Sequence, residues 1–455
     1  MLDAFTASML ADMTGGSVAG NPGAEIKRAR ADSRICRAGD VFIALPGEKL
    51  DGSNFIQSAW DRGANVVLAE KRDALPTPPP GRALVSVENP YQALLAVAAA
   101  RRACLPELVV IGITGSNGKT TTKNILAAIM QAWLGREVLA TEGNYNSDIG
   151  LPLTLFDLRS WHRYAVLEMG MNRIGEMVLL TELARPDIAI ITNIGTAHAG
   201  MVGSVKAVAR EKRSILSTAS KNSTAIIASD EAWKDYLIRG YPGRIQFFGE
   251  WGKNGWDEFQ NIGTEGFVIK RYGEEIKFPL PGKHNLLNAM AAAEAALALG
   301  VPETALKDGL ESVKPAPGRC EVIKGDVTVI LDSYNANPQS LYAVLDLFRT
   351  LNISGRKIII FGELLELGEE TERALKSAGE AIANMNFDAV FLFGSTQPTV
   401  EHVLQTRGFS GYLKLFLDMD SLKIALADYV KKGDAVLVKG SRGNALERIC
   451  EVIVK

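Results

Sequence analysis

At 455 residues the chain is too long for one ordinary hydrophobic core and calls for two or three domains. Its 47% hydrophobic and 22% charged residues are the composition of a soluble globular protein, and a net charge of −2 argues against nucleic acid as a main partner. The four cysteines, Cys36, Cys104, Cys320 and Cys450, are far apart and form no CxxC, which argues against a disulfide framework or zinc site and for buried, reduced thiols.

In chain order, Met1-Leu2-Asp3-Ala4 has no basic segment leading into an apolar one, so no signal peptide is read and the cytoplasm is the expected location. Residues 40–45, 53–62 and 65–68 make a small mixed α/β unit, and the Pro-rich stretch 75–81 is a stiff spacer after it. We assign residues 1–82 to this unit. The Ala-rich runs 93–100 and 289–299 are too short for membrane spans and read as buried helices, so no membrane partner is expected.

The second unit, 83–314, has a strand at 108–114, a helix at 121–133, and strands at Tyr164–Glu168, 188–194 and Thr224–Ala228. Unbroken Val/Ile runs between helical patterns predict a parallel sheet covered on both faces. A shorter Pro segment, 313–318, leads into the third unit, 315–455. Its strands at 327–331, 357–361, Ala389–Phe393 and 435–438 repeat the same alternation, which predicts a second, Rossmann-like domain. The fold class is therefore α/β with three domains: a small mixed unit, a central P-loop sheet, and a doubly wound C-terminal domain.

The second unit carries a phosphate-gripping loop, Thr114-Gly115-Ser116-Asn117-Gly118-Lys119-Thr120, between a strand and a helix. Glycines let backbone N–H groups converge on phosphate oxygens, and the helix N-terminus adds its positive end. Lys119 can reach the terminal phosphates and the Thr120 hydroxyl can ligate Mg²⁺. The spacing is shorter than GxxxxGK[ST], because Ile113 stands five positions before Gly118. By itself the loop indicates nucleotide binding and leaves a mechanical ATPase open. The chain lacks an NKxD motif, which argues against a GTPase switch.

Further candidates lie at strand ends. Residues 141–150 are dense in small polar side chains, among them Asn144 and Asn146. Glu168 ends a buried strand where a second Mg²⁺ ligand is needed, and His198 follows the next strand in Thr192-Asn193-Ile194-Gly195-Thr196-Ala197-His198.

Together these strings resemble the Mur ligase family, the ATP-dependent amide ligases of peptidoglycan precursor synthesis. The resemblance runs from Asp32-Ser33-Arg34 and Gly39-Asp40-Val41-Phe42 to Asp332-Ser333-Tyr334-Asn335-Ala336-Asn337-Pro338 and Lys439-Gly440-Ser441-Arg442. The string at 332–338 points to the member that joins D-alanyl-D-alanine to UDP-N-acetylmuramoyl-tripeptide, and no DNPR motif of its sister enzyme is present. The resemblance implies that Ser33 and Arg34 hold the uridine diphosphate end. It implies that Lys119 and Thr120 grip ATP and Mg²⁺, with Glu168 and His198 as further metal ligands. It places Asn285 and Asn288 by the adenine, and brings Arg319 and Asp332 to the nucleotide. Tyr334, Asn335 and Asn337 would line the cleft for nucleotide and acceptor, with Asn144 and Asn146 contacting substrate.

Lys212 matches the family's carbamoylated, metal-binding lysine, although its context Arg210-Glu211-Lys212-Arg213-Ser214 departs from the usual one. The alternative is a surface lysine paired along a helix. Ser147 and Gly443-Asn444 are smaller departures. The implied chemistry is activation of a carboxylate as an acyl phosphate, followed by amine attack, with the third domain closing on a hinge near 315–318. The sequence leaves the oligomeric state open, with a monomer as the default expectation. No residue is assigned as general base. Another amide ligase of the superfamily, a folate polyglutamate synthase for example, is the competing reading.

Overall fold

The computed structural model describes residues 2–47 and 50–454, and their strands fall into four sheets. Met1 of the N-terminal segment lies outside the described residues. The first sheet contains Ser17–Gly20 (β1), Arg28–Arg30 (β2), Asp40–Ile43 (β3), Val66–Glu70 (β4) and Ala83–Val87 (β5), in the order β1-β5-β4-β3-β2. Only β1 runs antiparallel to its neighbour. The stretch 53–62, expected as one unit, is a 3-10 turn at Gly52–Phe55 that passes into the helix Ile56–Asp61. The helix Pro90–Ala103 follows β5. Asn89 caps it and Pro90 occupies its first turn, where no N–H partner is missed.

The central sheet is fully parallel: Val109–Thr114 (β6), Val138–Ala140 (β7), Tyr164–Glu168 (β8), Ile188–Ile191 (β9), Thr224–Ala228 (β10) and Arg244–Phe248 (β11), ordered β11-β10-β9-β6-β8-β7. The order reverses beside β6, so β6 ends at the topological switch point where ligands bind in such sheets. Strand β9 stops at Ile191, short of the expected residue 194. The chain at 192–194 leaves the sheet edge to bond the loop after β6, with Ser116 N donating to Asn193 O at 2.9 Å.

The Ala-rich helix Lys283–Ala298 and the helix Glu303–Ser312 pack on the helix Lys119–Leu134. Small residues set the spacing: a Cβ on Gly309 would lie 2.3 Å from the Ile129 Cα. Ala289, Ala291, Ala292 and Ala293 are fully buried there, as the sequence reading requires. A three-stranded antiparallel sheet, Glu258–Asn261 (β12), Phe267–Arg271 (β13) and Glu274–Phe278 (β14), covers this layer and was not anticipated.

The last sheet is Glu321–Lys324 (β15), Thr328–Asp332 (β16), Lys357–Gly362 (β17), Ala389–Phe393 (β18), Tyr412–Phe416 (β19) and Ala435–Lys439 (β20). Its order is β15-β16-β20-β17-β18-β19, parallel except for β15. The two large sheets turn their C-terminal edges toward one cleft. No helix among the described residues is long and apolar enough to cross a membrane. None of the four cysteines forms a disulfide; Cys36 and Cys320 are buried as expected, but Cys450 is half-buried and Cys104 is exposed one residue past the helix Pro90–Ala103.

Candidate active site

The cleft encloses about 590 Å³ and is lined from both sides by polar groups. Its floor is the loop between β6 and the helix Lys119–Leu134. Gly115 takes φ +152, and a Cβ there would lie 1.8 Å from Thr192 Oγ1. Gly118 takes φ +83 as the helix N-cap, with Asn288 Oδ1 2.4 Å from any Cβ. Only glycine fits both places without displacing a neighbour. The chain after β9 braces the loop: Asn117 N donates to Asn193 Oδ1 at 3.0 Å, and Thr192 Oγ1 donates to Asn117 O at 2.5 Å.

Lys119 Nζ donates to Gly115 O at 2.7 Å, curled back over the loop. Burial pushes its pKa from 10.5 down to about 8, a fall that Glu168 opposes and Arg319 reinforces. Glu168 is buried at the end of β8, and its Oε1 accepts from Thr120 Oγ1 at 3.1 Å and from Asn146 Nδ2 at 2.6 Å. Its Oε2 is buried without a partner. A hydroxyl, a carboxylate and an orphaned oxygen at a sheet edge form a donor set suited to a hard divalent cation. Among the described residues no three His, Cys, Asp or Glu side chains cluster, so phosphate oxygens would have to complete such a site.

Lys212 lies on the helix Val205–Arg213 and is fully buried, which removes the surface-lysine alternative. Its Nζ has no hydrogen-bond partner, and burial, then the Lys119 charge, hold its pKa well below the ordinary value. An unpaired buried ammonium is costly, so burial favours the neutral amine, and a neutral amine can take up CO₂. His198, at φ +62, lines the cleft, whereas Lys212 lies outside its lining.

The third domain supplies the opposite wall. Arg319 stacks on Tyr334, its guanidinium 4.0 Å from the ring centroid, and Arg442 lies on the same ring at 5.1 Å. Asp332 at the end of β16 accepts from the fully buried Lys439 at 2.7 Å and from Cys320 N at 3.1 Å. Lys439 also donates to Asn335 O at 2.7 Å. Asn337 caps the helix Pro338–Thr350 and reaches across to the loop, Nδ2 donating to Asn117 Oδ1 at 2.7 Å. Asn285 and Asn288 are buried at the start of the helix Lys283–Ala298 and bonded to each other at 3.3 Å.

Most of the anticipated residues meet here. Asn144 and Asn146 line the same cleft, whereas Thr114 is buried beneath it. Ser33 and Arg34 do not line it: they lie in the first domain, Ser33 buried and Arg34 exposed and paired with Asp32 at 2.7 Å. Sequence reasoning passed over Glu231, Gln339, His284 and Cys320, all of which line the cleft. Glu231, three residues past β10, was open to the strand-end argument that found Glu168.

Family models match three consecutive stretches: the Mur ligase family catalytic domain over residues 25–108, the Mur ligase middle domain over 113–296, and the Mur ligase glutamate ligase domain over 318–442. The UDP-N-acetylmuramoyl-tripeptide--D-alanyl-D-alanine ligase of Bacillus subtilis is 35% identical over 461 residues, covering 99% of this chain and 98% of that protein. A crystal structure of MurF from Acinetobacter baumannii superposes with a TM-score of 0.83 at 30% identity, covering 99% of this chain and 98% of that one. MurF from Thermotoga maritima in complex with ADP gives 0.74 at 28% identity, covering 94% and 97%.

Proposed function

The chain belongs to the Mur ligase family, and we propose that it joins D-alanyl-D-alanine to UDP-N-acetylmuramoyl-tripeptide, converting ATP to ADP and phosphate. The observation that carries this reading is the two-walled cleft, with a phosphate loop on one side and Asp332, Tyr334, Asn335 and Asn337 on the other. ATP supplies activation: a tripeptide carboxylate oxygen bonds to the γ-phosphorus as the β–γ bridge breaks, and the dipeptide amine, shedding a proton, then displaces phosphate from the acyl carbon.

The first of these steps brings two anions together. Lys119 and the loop amides are the chain's own positive groups for it, and Lys119 must leave Gly115 O to reach a phosphate. Mg²⁺ held by Thr120 and Glu168 would screen the remaining charge. We assign His198 and a carbamate on Lys212 as further metal contacts, a role supported by the unpartnered Lys212 amine. Asn285 and Asn288 are assigned to the adenine side, with Arg319 and Asp332 on the nucleotide from the third domain. Tyr334, Asn335 and Asn337 close the acceptor side against water. Ser33 and Arg34 are assigned to the uridine diphosphate end, in a first domain whose match to the family begins at residue 25. The cleft is complete within one chain, which supports a monomer, and its use of ATP favours the cytoplasm.

The test is phosphate release with ATP, D-Ala-D-Ala and the two tripeptide substrates, ending in meso-diaminopimelate or in lysine. Release should require both the dipeptide and one tripeptide nucleotide. Equal release without the dipeptide, or with a single amino acid in its place, would overturn the assignment.

A further inference from the structure

Two non-glycine residues in left-handed backbone meet where the central and third domains touch: His198 at φ +62 in the central domain and Glu366 at φ +66 in the third. Such conformations persist where surrounding structure enforces them. His198 Nδ1 stands 3.2 Å from Glu366 Oε2, an ion-pair distance without the alignment of a finished hydrogen bond. The loop that carries Glu366 is held from behind. Leu364 and Leu367 on either side of it are buried in the third domain, and Leu365 N donates to Ser441 Oγ at 3.0 Å. On the central side, Gly200 meets Gly368 backbone to backbone, since a Cβ on Gly200 would lie 2.4 Å from Gly368 N. The fold thus brings this carboxylate to this imidazole and leaves no room for slippage.

We propose that Glu366 is a positioning residue for His198, delivered when the third domain closes. A carboxylate on Nδ1 selects the tautomer with its proton there, so that Nε2 keeps a lone pair for the cleft. Closure and the readiness of His198 then become one event. The tautomer does not depend on reading His198 as a metal contact; only the affinity effect below rests on that reading.

The experiment compares wild type with Glu366→Ala and Glu366→Gln. Imidazole ¹⁵N spectra of the full chain with ADP report the tautomer directly, and with four histidines in the sequence a His198→Gln blank assigns the signal. Wild type should show a protonated Nδ1. Glu366→Ala should lose that preference and Glu366→Gln, still an acceptor, should keep it. Mn²⁺ binding in the presence of ADP should weaken about tenfold in Glu366→Ala. An unchanged tautomer in Glu366→Ala, or an identical loss in Glu366→Gln, overturns the proposal. A shifted tautomer with unchanged Mn²⁺ affinity sustains it and instead removes His198 from the metal site.

Discussion

Lys119→Met should abolish turnover and yet make the unliganded protein more stable. In the folded chain burial takes the Lys119 pKa from 10.5 to about 8. A displacement of that size corresponds to about 3 kcal/mol of unfavourable charge burial. The side chain is only partly covered, so solvent screening reduces the figure to about 1–2 kcal/mol. Methionine keeps much of the volume and removes the charge, and the lost bond to Gly115 O leaves a carbonyl that water in the open cleft can satisfy.

The pH dependence fixes the sign. The folded pKa lies below the unfolded one, so below pH 8 both states are charged and the folded state bears the full cost. Between pH 8 and 10.5 the folded lysine gives up its proton first, and the cost fades. Thermal melts at pH 7 should therefore place Lys119→Met about 2–4 °C above wild type for each kcal/mol gained, and melts near pH 10.5 should nearly coincide. Phosphate release should fall by about 10²–10³ or more. A variant that melts below wild type at pH 7, or a gap that does not narrow with pH, would refute this account of the lysine.

Other expectations follow from the same contacts. Gly115→Ala forces a methyl group against Thr192 Oγ1 and should cost about 1–3 kcal/mol in urea denaturation, with Thr192→Ala in the same chain recovering part of it. Lys439→Ala leaves Asp332 without its buried partner and should cost about 3–5 kcal/mol, while a loss under about 1 kcal/mol would mean the pair is not structural. Lys212 should show a carbamate carbon in ¹³C spectra under ¹³CO₂ that is absent from Lys212→Arg, and its absence from wild type would remove the carbamate from the mechanism.

The parts legible in the sequence share one property: their signal is local. The phosphate loop sits between a six-residue buried strand and a helix, and Glu168 ends an apolar run, so composition and order suffice. The antiparallel sheet β12–β14 escaped because β12 is largely exposed and carries no apolar run. Glu366, Gln339 and Cys320 escaped for a different reason. Each acts through a partner far away in the chain: Glu366 beside His198, Gln339 accepting from Thr196 at 2.8 Å, and Cys320 Sγ 3.4 Å from His284 Nε2. Only the packing of the third domain on the second makes those pairs. The extent of β9 was misjudged because Ile194 resumes the apolar run, while Thr192 and Asn193 before it are claimed by the loop beside them.

Two buried lysines show how the fold separates support from chemistry. Lys439 and Lys212 are both wholly enclosed at the cleft region. Lys439 has Asp332 at 2.7 Å and a carbonyl at 2.7 Å, so its charge is answered within the protein and it ties β16 to β20. Lys212 has neither, and its nearest charge of consequence is the repelling Lys119. Burial depresses Lys119 and Lys123 as well, with Glu168 opposing the fall and Arg319 adding to it. Lys119 on the cleft floor is therefore a desolvated cation that Glu168 answers only in part and Arg319 opposes. A triphosphate would offset the Lys119 and Arg319 charges, and a carbamate on Lys212 would turn its unpaired amine into an anion. Positive charge left uncompensated is a cost to the folded chain, and it is what a site that joins two anions requires.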